Sequence, residues 1–285
     1  MTDARDPLDA EALRARLAAP AGPLARLEVV GRAGSTNEDL AAAARADAAA
    51  WPAPALLVAD HQSAGRGRAG RGWSTPPGAA VTASLLVRPA ADAGLVPLVG
   101  GLAAVRALAD VGVPGARLKW PNDVLLPAGA AGALAGWGPW RKVGGVLAQV
   151  VPPAAGEPGP PAVVLGVGLN VDQGAEELPV PHATSLRAAG ARVRREDLLV
   201  ALVLRLDELL RAMAGAPGEV VAAVAGACAT LGESVRVDAA PGSDVPPLVG
   251  RATALRDDGA LLVETADGTT VAALSGDVHH VRTGA

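Results

Sequence analysis

Residues 61–75, HQSAGRGRAGRGWST, constrain the fold more than any other stretch of this chain. Their three arginines and four glycines are Arg66, Arg68, Arg71, Gly65, Gly67, Gly70 and Gly72. No large apolar side chain precedes Trp73, so the stretch cannot bury itself and must be a loop between other elements. The glycines permit positive φ, and guanidinium groups fork onto oxyanions. We therefore expect a loop that binds a polyanion and orders as it does so, although a solvated basic linker or a nucleic-acid tether has a similar composition.

The composition of the 285-residue chain limits its partners and its compartment. Its net charge of −4 does not provide the basic field on which non-specific DNA binding depends. The single cysteine, Cys228, excludes a disulfide framework and a thiolate metal cluster. No apolar run approaches the ~20 residues that span a bilayer, and no signal peptide is evident. We expect a cytoplasmic protein with neither a membrane nor a DNA partner.

Hydrophobic periodicity predicts an α+β protein whose first domain is much larger than its second. Helices are predicted at residues 8–18, from Ser35 onward, at 94–112 and at 194–214, and a further helix follows that ends at Thr230. Strands are predicted at residues 26–30, 55–60, 81–88, 142–151 and 162–171. Ser35 and Glu38 match a capping box. From Glu233, short alternating strands predict a small β-barrel. The predicted domains are residues 1–230 and 231–285.

The rarest polar residues of the chain lie in short segments that have the character of binding sites. Its only lysines and asparagines are Lys119, Lys142, Asn37, Asn122 and Asn170, in GSTNED, LKWPNDV, RKVGGVL and GVGLNV. Pro121 cannot donate to a strand ladder, so a bend is predicted after Lys119. Asn122 and Asp123 at that bend either cap a turn or hold Mg²⁺ and its waters.

Two further segments are predicted to have structural roles. Residues 127–140 are rich in glycine, alanine and proline, and we expect an irregular surface excursion. His279 and His280 have no partner at metal-ligand spacing, so we interpret them as structural.

Together these segments suggest a site for a nucleoside triphosphate. Loop arginines, isolated lysines and an Asn-Asp pair suit phosphates and their metal ion. The chain has neither a Walker A loop nor the protein-kinase signature, which argues against γ-phosphate transfer by those routes. Attack on the α-phosphate is compatible with these residues.

Six motifs together resemble the biotin protein ligases: GSTNED, HQSAGRGRAGRGW, LKWPNDV, KVGGVL, GVGLNV and ATSL, in that order. The resemblance runs from about residue 26 to the C-terminus and is to the short bacterial form without an N-terminal DNA-binding domain. The excursion between Asp123 and Lys142 is longer than that form usually has. The resemblance implies a catalytic domain like that of class II aminoacyl-tRNA synthetases, a mixed β-sheet with packed helices, followed by an SH3-like β-barrel.

The resemblance also implies a reaction and a set of site residues. Biotin and MgATP would form biotinyl-5′-AMP, and a lysine of a biotin carboxyl carrier domain of acetyl-CoA carboxylase or a related carboxylase would then accept the biotin. The implied catalytic residues are Lys142, Arg66 and Arg68. The implied biotin-binding residues are Ser35, Thr36, Asn37, Gln62, Arg66, Gly67, Arg68 and Lys142. The implied adenylate-binding residues are Arg68, Arg71, Trp73, Lys119, Asn122 and Asn170, with Asp123 at Mg²⁺.

Three alternatives compete with this interpretation. A lipoate or octanoyl ligase would share the catalytic fold, but GRGRAGRGW argues against it. An RNA-binding module would use the arginine-glycine loop, with tryptophans as stacking platforms. The net negative charge and the Val-rich strands disfavour this alternative. A non-catalytic biotin sensor is disfavoured because no DNA-binding domain is seen.

Overall fold

The computed structural model describes residues 5–90, 92–153, 160–239, 245–274 and 276–280. The helices are α1 (Ala10–Leu17), α2 (Thr36–Ala46), α3 (Val96–Asp110), α4 (Arg195–Gly215) and α5 (Pro217–Ala227). The strands of the larger sheet are β1 (Arg26–Val30), β2 (Ala55–Ala59), β3 (Ala80–Val87), β4 (Arg117–Lys119), β5 (Asp123–Pro127), β6 (Trp140–Val151) and β7 (Ala162–Asn170). Those of the smaller sheet are β8 (Ser234–Asp238), β9 (Leu248–Leu255), β10 (Leu261–Glu264), β11 (Thr270–Ala273) and β12 (Asp277–His280).

The larger sheet is mixed and has seven strands in the order β1-β2-β3-β7-β6-β5-β4. Only β1 and β2 pair in parallel; the other neighbours are antiparallel. The smaller sheet has five strands in the order β11-β10-β9-β8-β12. The predicted α+β class and its strands are confirmed, as is the bend between Lys119 and Asp123. The last predicted helix ends at Ala227, before the expected Thr230. Residues 152–161 are a Pro-rich connector between β6 and β7, and residues 154–159 of it lie outside the described residues.

The two faces of the larger sheet have different covers. Leu56 and Val58 of β2 face a core that includes residues of α1, α3, α4 and α5, whereas Leu57 faces a second cluster with α2. This division follows from the alternation of side chains along a strand. Because α2 is short, it covers only part of its face, and the candidate site occupies the remainder.

Helix α3 lies at the centre of the core that packs against Leu56 and Val58. A Cβ on Gly100 or Gly101 would lie 2.7 Å from a methyl of Leu165 or Leu118, so both glycines permit close helix-to-sheet packing. By length and composition alone, Ala93–Asp110 could cross a membrane, the one such helix in the described part of the chain. This helix is predicted from the sequence at residues 94–112, but without an apolar run that approaches spanning length. Of this 18-residue stretch, 61% is buried inside the fold, which is typical of a core helix in a globular domain.

The start of α2 differs from the prediction. Ser35 occupies the N-cap position, but its side chain makes no capping hydrogen bond. Glu38 instead pairs with Arg66, at 3.0 Å between Oε1 and Nε, and Asp39 accepts a hydrogen bond from the Gly34 amide. The predicted capping box is therefore wrong. The Ser35 side chain, only 3% exposed, lines the candidate cavity instead.

Candidate active site

Strand register builds the floor of a cavity of about 490 Å³ on the α2 face of the larger sheet. One row across the strands is Ser84, Gly166 and Leu147, and the next is Thr82, Gly168, Gly145 and Asp123. Glycines in the middle of both rows let other side chains approach the backbone closely: Asn37 at Gly166, Trp73 at Gly168 and Lys142 at Gly145. GVGLNV was singled out as a site motif, and its two glycines shape this floor.

A polar recess closes the first end of the cavity. Gln62 Oε1 accepts hydrogen bonds from the Thr36 amide at 2.8 Å and from the Thr36 hydroxyl at 3.0 Å. Ser84 Oγ lies 2.8 Å from Thr36 Oγ1 and 2.7 Å from Asn37 Oδ1, and the Asn37 amide nitrogen donates to Leu147 O at 3.0 Å. Because these buried groups hold one another, the recess is rigid.

The arginine-glycine loop forms a flap over the cavity. The Gly67 amide donates to Arg71 O at 2.7 Å, and the Trp73 amide donates to Gly65 O at 2.8 Å, so the flap is a formed turn. The expectation of positive φ is confirmed only for Gly70, at 73°; Ala69 shares that conformation, at 54°. Gly65 is required for another reason, since a Cβ there would lie 2.4 Å from Trp73 O.

Trp73 packs flat against the floor beneath the flap. A Cβ on Gly168 would lie 2.7–3.0 Å from atoms of the indole, so only glycine permits this contact. The Trp73 Nε1 donor is buried and has no hydrogen-bond partner among the described residues. A buried donor without a partner carries a desolvation cost.

The flap is fastened to the C-terminal β unit. The Arg71 guanidinium makes two 2.9 Å hydrogen bonds to the two carboxylate oxygens of Asp277. Arg68 donates to Gly276 O and to Asn122 Oδ1, both at 3.3 Å, and burial lowers the pKa of its guanidinium. Arg68 therefore contacts the two sides of the cavity entrance at once.

The second end of the cavity is cationic. Lys142 Nζ lies 2.6 Å from Asp123 Oδ1, and both side chains are mostly buried. The pairing of β5 with β6 shifts between Val124 and Leu125, which makes Val143 an extra residue in β6. Such a bulge re-aims a neighbouring side chain, here Lys142, over Gly145 and toward Asp123.

Lys119 adds a second cation at this end. It is 7% exposed, and burial lowers the pKa of its ammonium group, while the Asp123 charge opposes that shift. Asn122 is held by donating to Val146 O at 2.9 Å. The Asp123 carboxylate already pairs with Lys142. The described residues contain no group of three or more His, Cys, Asp or Glu side chains that could hold a metal ion. This donor set fits Mg²⁺ only where ligand phosphates supply most of its oxygens.

Asn170 ends β7 beside the cavity. Its amide nitrogen donates to Thr184 O at 2.9 Å, and its oxygen accepts from Gln173 Nε2 at 2.8 Å. Much of its hydrogen-bonding capacity therefore fastens the segment after β7. One N–H and one lone pair are left for other partners.

Sequence reasoning missed several residues of the site. Residues 127–140 are not merely a surface excursion, because Trp137 lines the cavity and stacks on His182. Ser84 could have been noticed as a polar residue in an otherwise apolar strand. Asp277 carried no signal, since only tertiary structure brings it to the flap. His279 Nε2 lies 3.3 Å from Asp238 Oδ2 and lines the same cavity, and the His280 side chain lies outside the described set.

A polar recess, a glycine floor and a cationic end beneath an arginine flap define, on this mixed sheet, a nucleotide-dependent ligase. The sequence profile of the Biotin/lipoate A/B protein ligase family matches residues 32–170, and the profile of the Biotin protein ligase C terminal domain matches residues 230–281. The chain belongs to the biotin protein ligase family.

Individual relatives cover most of the chain. The biotin–[acetyl-CoA-carboxylase] ligase of Mycobacterium tuberculosis is 38% identical over 286 residues, which cover 98% of this chain and 97% of that protein. The bifunctional ligase/repressor BirA of Bacillus subtilis is 28% identical over 225 residues, 76% of this chain and 63% of that protein. The biotin protein ligase from Aquifex aeolicus in complex with biotin and ATP superposes with a TM-score of 0.68 at 27% identity, covering 90% of this chain and 99% of that chain.

Proposed function

We propose that this protein activates biotin with ATP as biotinyl-5′-AMP and transfers the biotin to a lysine of a biotin carboxyl carrier domain. The observation that carries the proposal is the single cavity that joins a rigid polar recess to a cationic end beneath the arginine flap. The recess suits an uncharged polar ring system, and the cations suit a carboxylate and a triphosphate.

The biotin head group is assigned to the recess. Ser35, Thr36, Asn37 and Gln62 surround it, and the floor glycine Gly166 lets the Asn37 side chain lie close against the floor. The biotin carboxylate then points along the floor toward Lys142. Arg66 and Gly67 close the flap above it.

The adenylate is assigned to the second end. Lys142 and Arg68 flank the α-phosphate, Lys119 faces the outer phosphates, and Arg71 closes the flap on the β unit. Trp73, Asn122 and Asn170 border the nucleoside. The two asparagines would contact it through the side-chain N–H groups and lone pairs that their protein partners do not use. Asp123 is assigned to Mg²⁺, which when bound would neutralise phosphate charge.

The first step joins two anions. A carboxylate oxygen of biotin attacks the α-phosphorus, the O–P bond forms, and the bond to the β-phosphate oxygen breaks to release pyrophosphate. Lys142 and Arg68 stabilise the charge that accumulates on the α-phosphate oxygens. In the second step a lysine amine attacks the acyl carbon, the C–O bond breaks, and AMP leaves with the electron pair while the amine loses a proton to solvent.

We also infer the finer architecture and the compartment. The mixed sheet with its packed helices is assigned to the class II aminoacyl-tRNA-synthetase type, and the five strands from Ser234 onward to an SH3-like barrel, which supports a domain boundary near residue 231. We assign the reaction to the cytoplasm. Cys228 is buried and unpaired, and burial raises the pKa of its thiol, so it is unreactive there.

The direct test combines the protein, biotin, MgATP and a biotin carboxyl carrier domain, followed by intact-mass spectrometry of the carrier. We expect the mass of one biotinyl group on a single lysine, dependent on ATP. A carrier that stays unmodified with biotin, while lipoate or octanoate is attached, would refute the biotin assignment and support the related acyl ligase.

Replacing Gly166 with alanine should raise the KM for biotin. The new methyl group would lie 2.2 Å from Asn37 Oδ1, and Asn37 cannot move without losing its bonds to Ser84 and Leu147. Leaving such buried groups unsatisfied costs about 1–3 kcal/mol, which corresponds to a rise of roughly 5- to 150-fold in the KM for biotin. Steady-state kinetics with varied biotin measure it. Gly31→Ala is the matched control, because its Cβ meets nothing within 4 Å; equal KM values in the two variants would contradict the placement of biotin.

A further inference from the structure

The excursion between β5 and β6 has an ordered backbone that presents one tryptophan to the cavity. Leu134 N donates to Gly138 O at 2.9 Å, and Ala128 N donates to Pro139 O at 2.7 Å. Between these closures lies Trp137, which lines the cavity, whereas Trp140 of the same segment does not.

The Trp137 ring makes two contacts through its π surface. Lys119 Nζ lies 4.1 Å from the ring centroid, and the His182 ring stacks at 4.2 Å with an interplanar angle of 9°. The His182 carbonyl accepts a hydrogen bond from the Lys142 amide at 2.7 Å, so the stack is anchored to the strand that carries the other lysine. Burial and the neighbouring Lys142 charge lower the pKa of His182, which favours the neutral ring in this stack.

The two lysines of the chain are held in different ways. Lys142 has a carboxylate partner, Asp123, whereas the Lys119 ammonium group forms no hydrogen bond or ion pair with any residue the structure describes. Lys119 as a whole is only 7% exposed, and an ammonium group without an ionic partner is costly in so buried a residue. A cation over an aromatic face recovers part of that cost without using an N–H donor.

We propose that Trp137 is a positioning residue of the nucleotide site, whose ring holds the Lys119 ammonium group at the cavity with its N–H donors free for the phosphates of ATP. A carboxylate partner would have to be displaced before a phosphate could bind, but an aromatic ring keeps its contact when the phosphate arrives. The inference rests on the proposed function, in which Lys119 contacts the outer phosphates.

The kinetic experiment measures the KM for ATP, the KM for biotin and kcat. A cation–π contact is worth about 0.5–2 kcal/mol, so Trp137→Leu should raise the KM for ATP by roughly 2- to 30-fold, with the KM for biotin unchanged. Trp137→Phe keeps an aromatic face and should recover most of the loss. Trp140→Leu, in the same segment but outside the cavity, is the matched control and should behave like the parent.

A double-mutant cycle tests whether Trp137 acts through Lys119. In a Lys119→Gln background, Trp137→Leu should cause no further rise in the KM for ATP. If the rise is as large in that background, or if Trp137→Leu matches the parent enzyme, the proposal is overturned. A parent enzyme that fails to biotinylate its carrier would instead overturn the proposed function, so the two failures are distinguishable.

A spectroscopic test starts from the parent protein, because a chain with two lysines gives a simple spectrum. Protein labelled with ¹³C-lysine should give two sets of side-chain ε-methylene signals, which Lys142→Arg assigns. The Lys119 ε-protons should be shifted upfield by the ring current of Trp137 and should return toward the ordinary position in Trp137→Leu. Two unshifted ε-methylene signals in the parent would overturn the proposal even if the leucine variant does not fold.

Discussion

Lys142→Ala should slow formation of biotinyl-5′-AMP by about 10²–10³-fold, the loss typical when one preorganised electrostatic group is removed from a transition state. Attack of a carboxylate on a triphosphate brings like charges together, and the Lys142 ammonium group, which lies over Gly145 of the floor, is proposed to stand between them. Its 2.6 Å contact with Asp123 Oδ1 holds it there before the ligands bind. The measurement is biotin-dependent exchange of labelled pyrophosphate into ATP.

Two further variants define the role of this lysine. Lys142→Arg keeps the positive charge and should retain part of the exchange activity. Arg117→Ala removes an exposed cation at the start of β4, outside the cavity, and should leave the exchange rate unchanged. Circular dichroism and thermal melting establish that each variant is folded. Parental exchange in folded Lys142→Ala would exclude the proposed role.

Arg68→Ala should release biotinyl-5′-AMP faster than the parent by about 10- to 150-fold, since a hydrogen bond to a charged group contributes roughly 1.5–3 kcal/mol. Arg68 is the flap residue that contacts both Asn122 and the backbone of Gly276. Its loss would remove these two contacts across the entrance and, with them, the proposed contact to the phosphate. Both changes expose the adenylate to water.

The release is measured without carrier, by filtering the enzyme from its reaction mixture and quantifying free adenylate and its hydrolysis products. Arg32→Ala is the control, since Arg32 is exposed and lies outside the cavity. Asp277→Asn tests the other anchor of the flap, the paired contact with Arg71. Equal release from parent and Arg68→Ala would show that this arginine does not retain the intermediate.

The contrast between prediction and structure is clearest in three places. The bend at Pro121 followed from proline chemistry, because a residue without an N–H cannot continue a ladder. The capping box at Ser35 failed because Glu38 pairs with Arg66, which lies distant in sequence. The excursion was predicted only as irregular, since nothing in its composition indicates that Trp137 contacts Lys119.

Local chemistry therefore determined the elements of this protein and most of the polar residues of its site. Strand periodicity, glycine and proline positions and the scarce lysines and asparagines are properties of short segments, and they were readable without a fold. Tertiary structure decided the partners: the Lys142–Asp123 pair, the contact of the flap with Asp277 and the contact of Trp137 with Lys119. Such contacts depend on strand register and on how separate segments pack, and no short stretch of sequence encodes either.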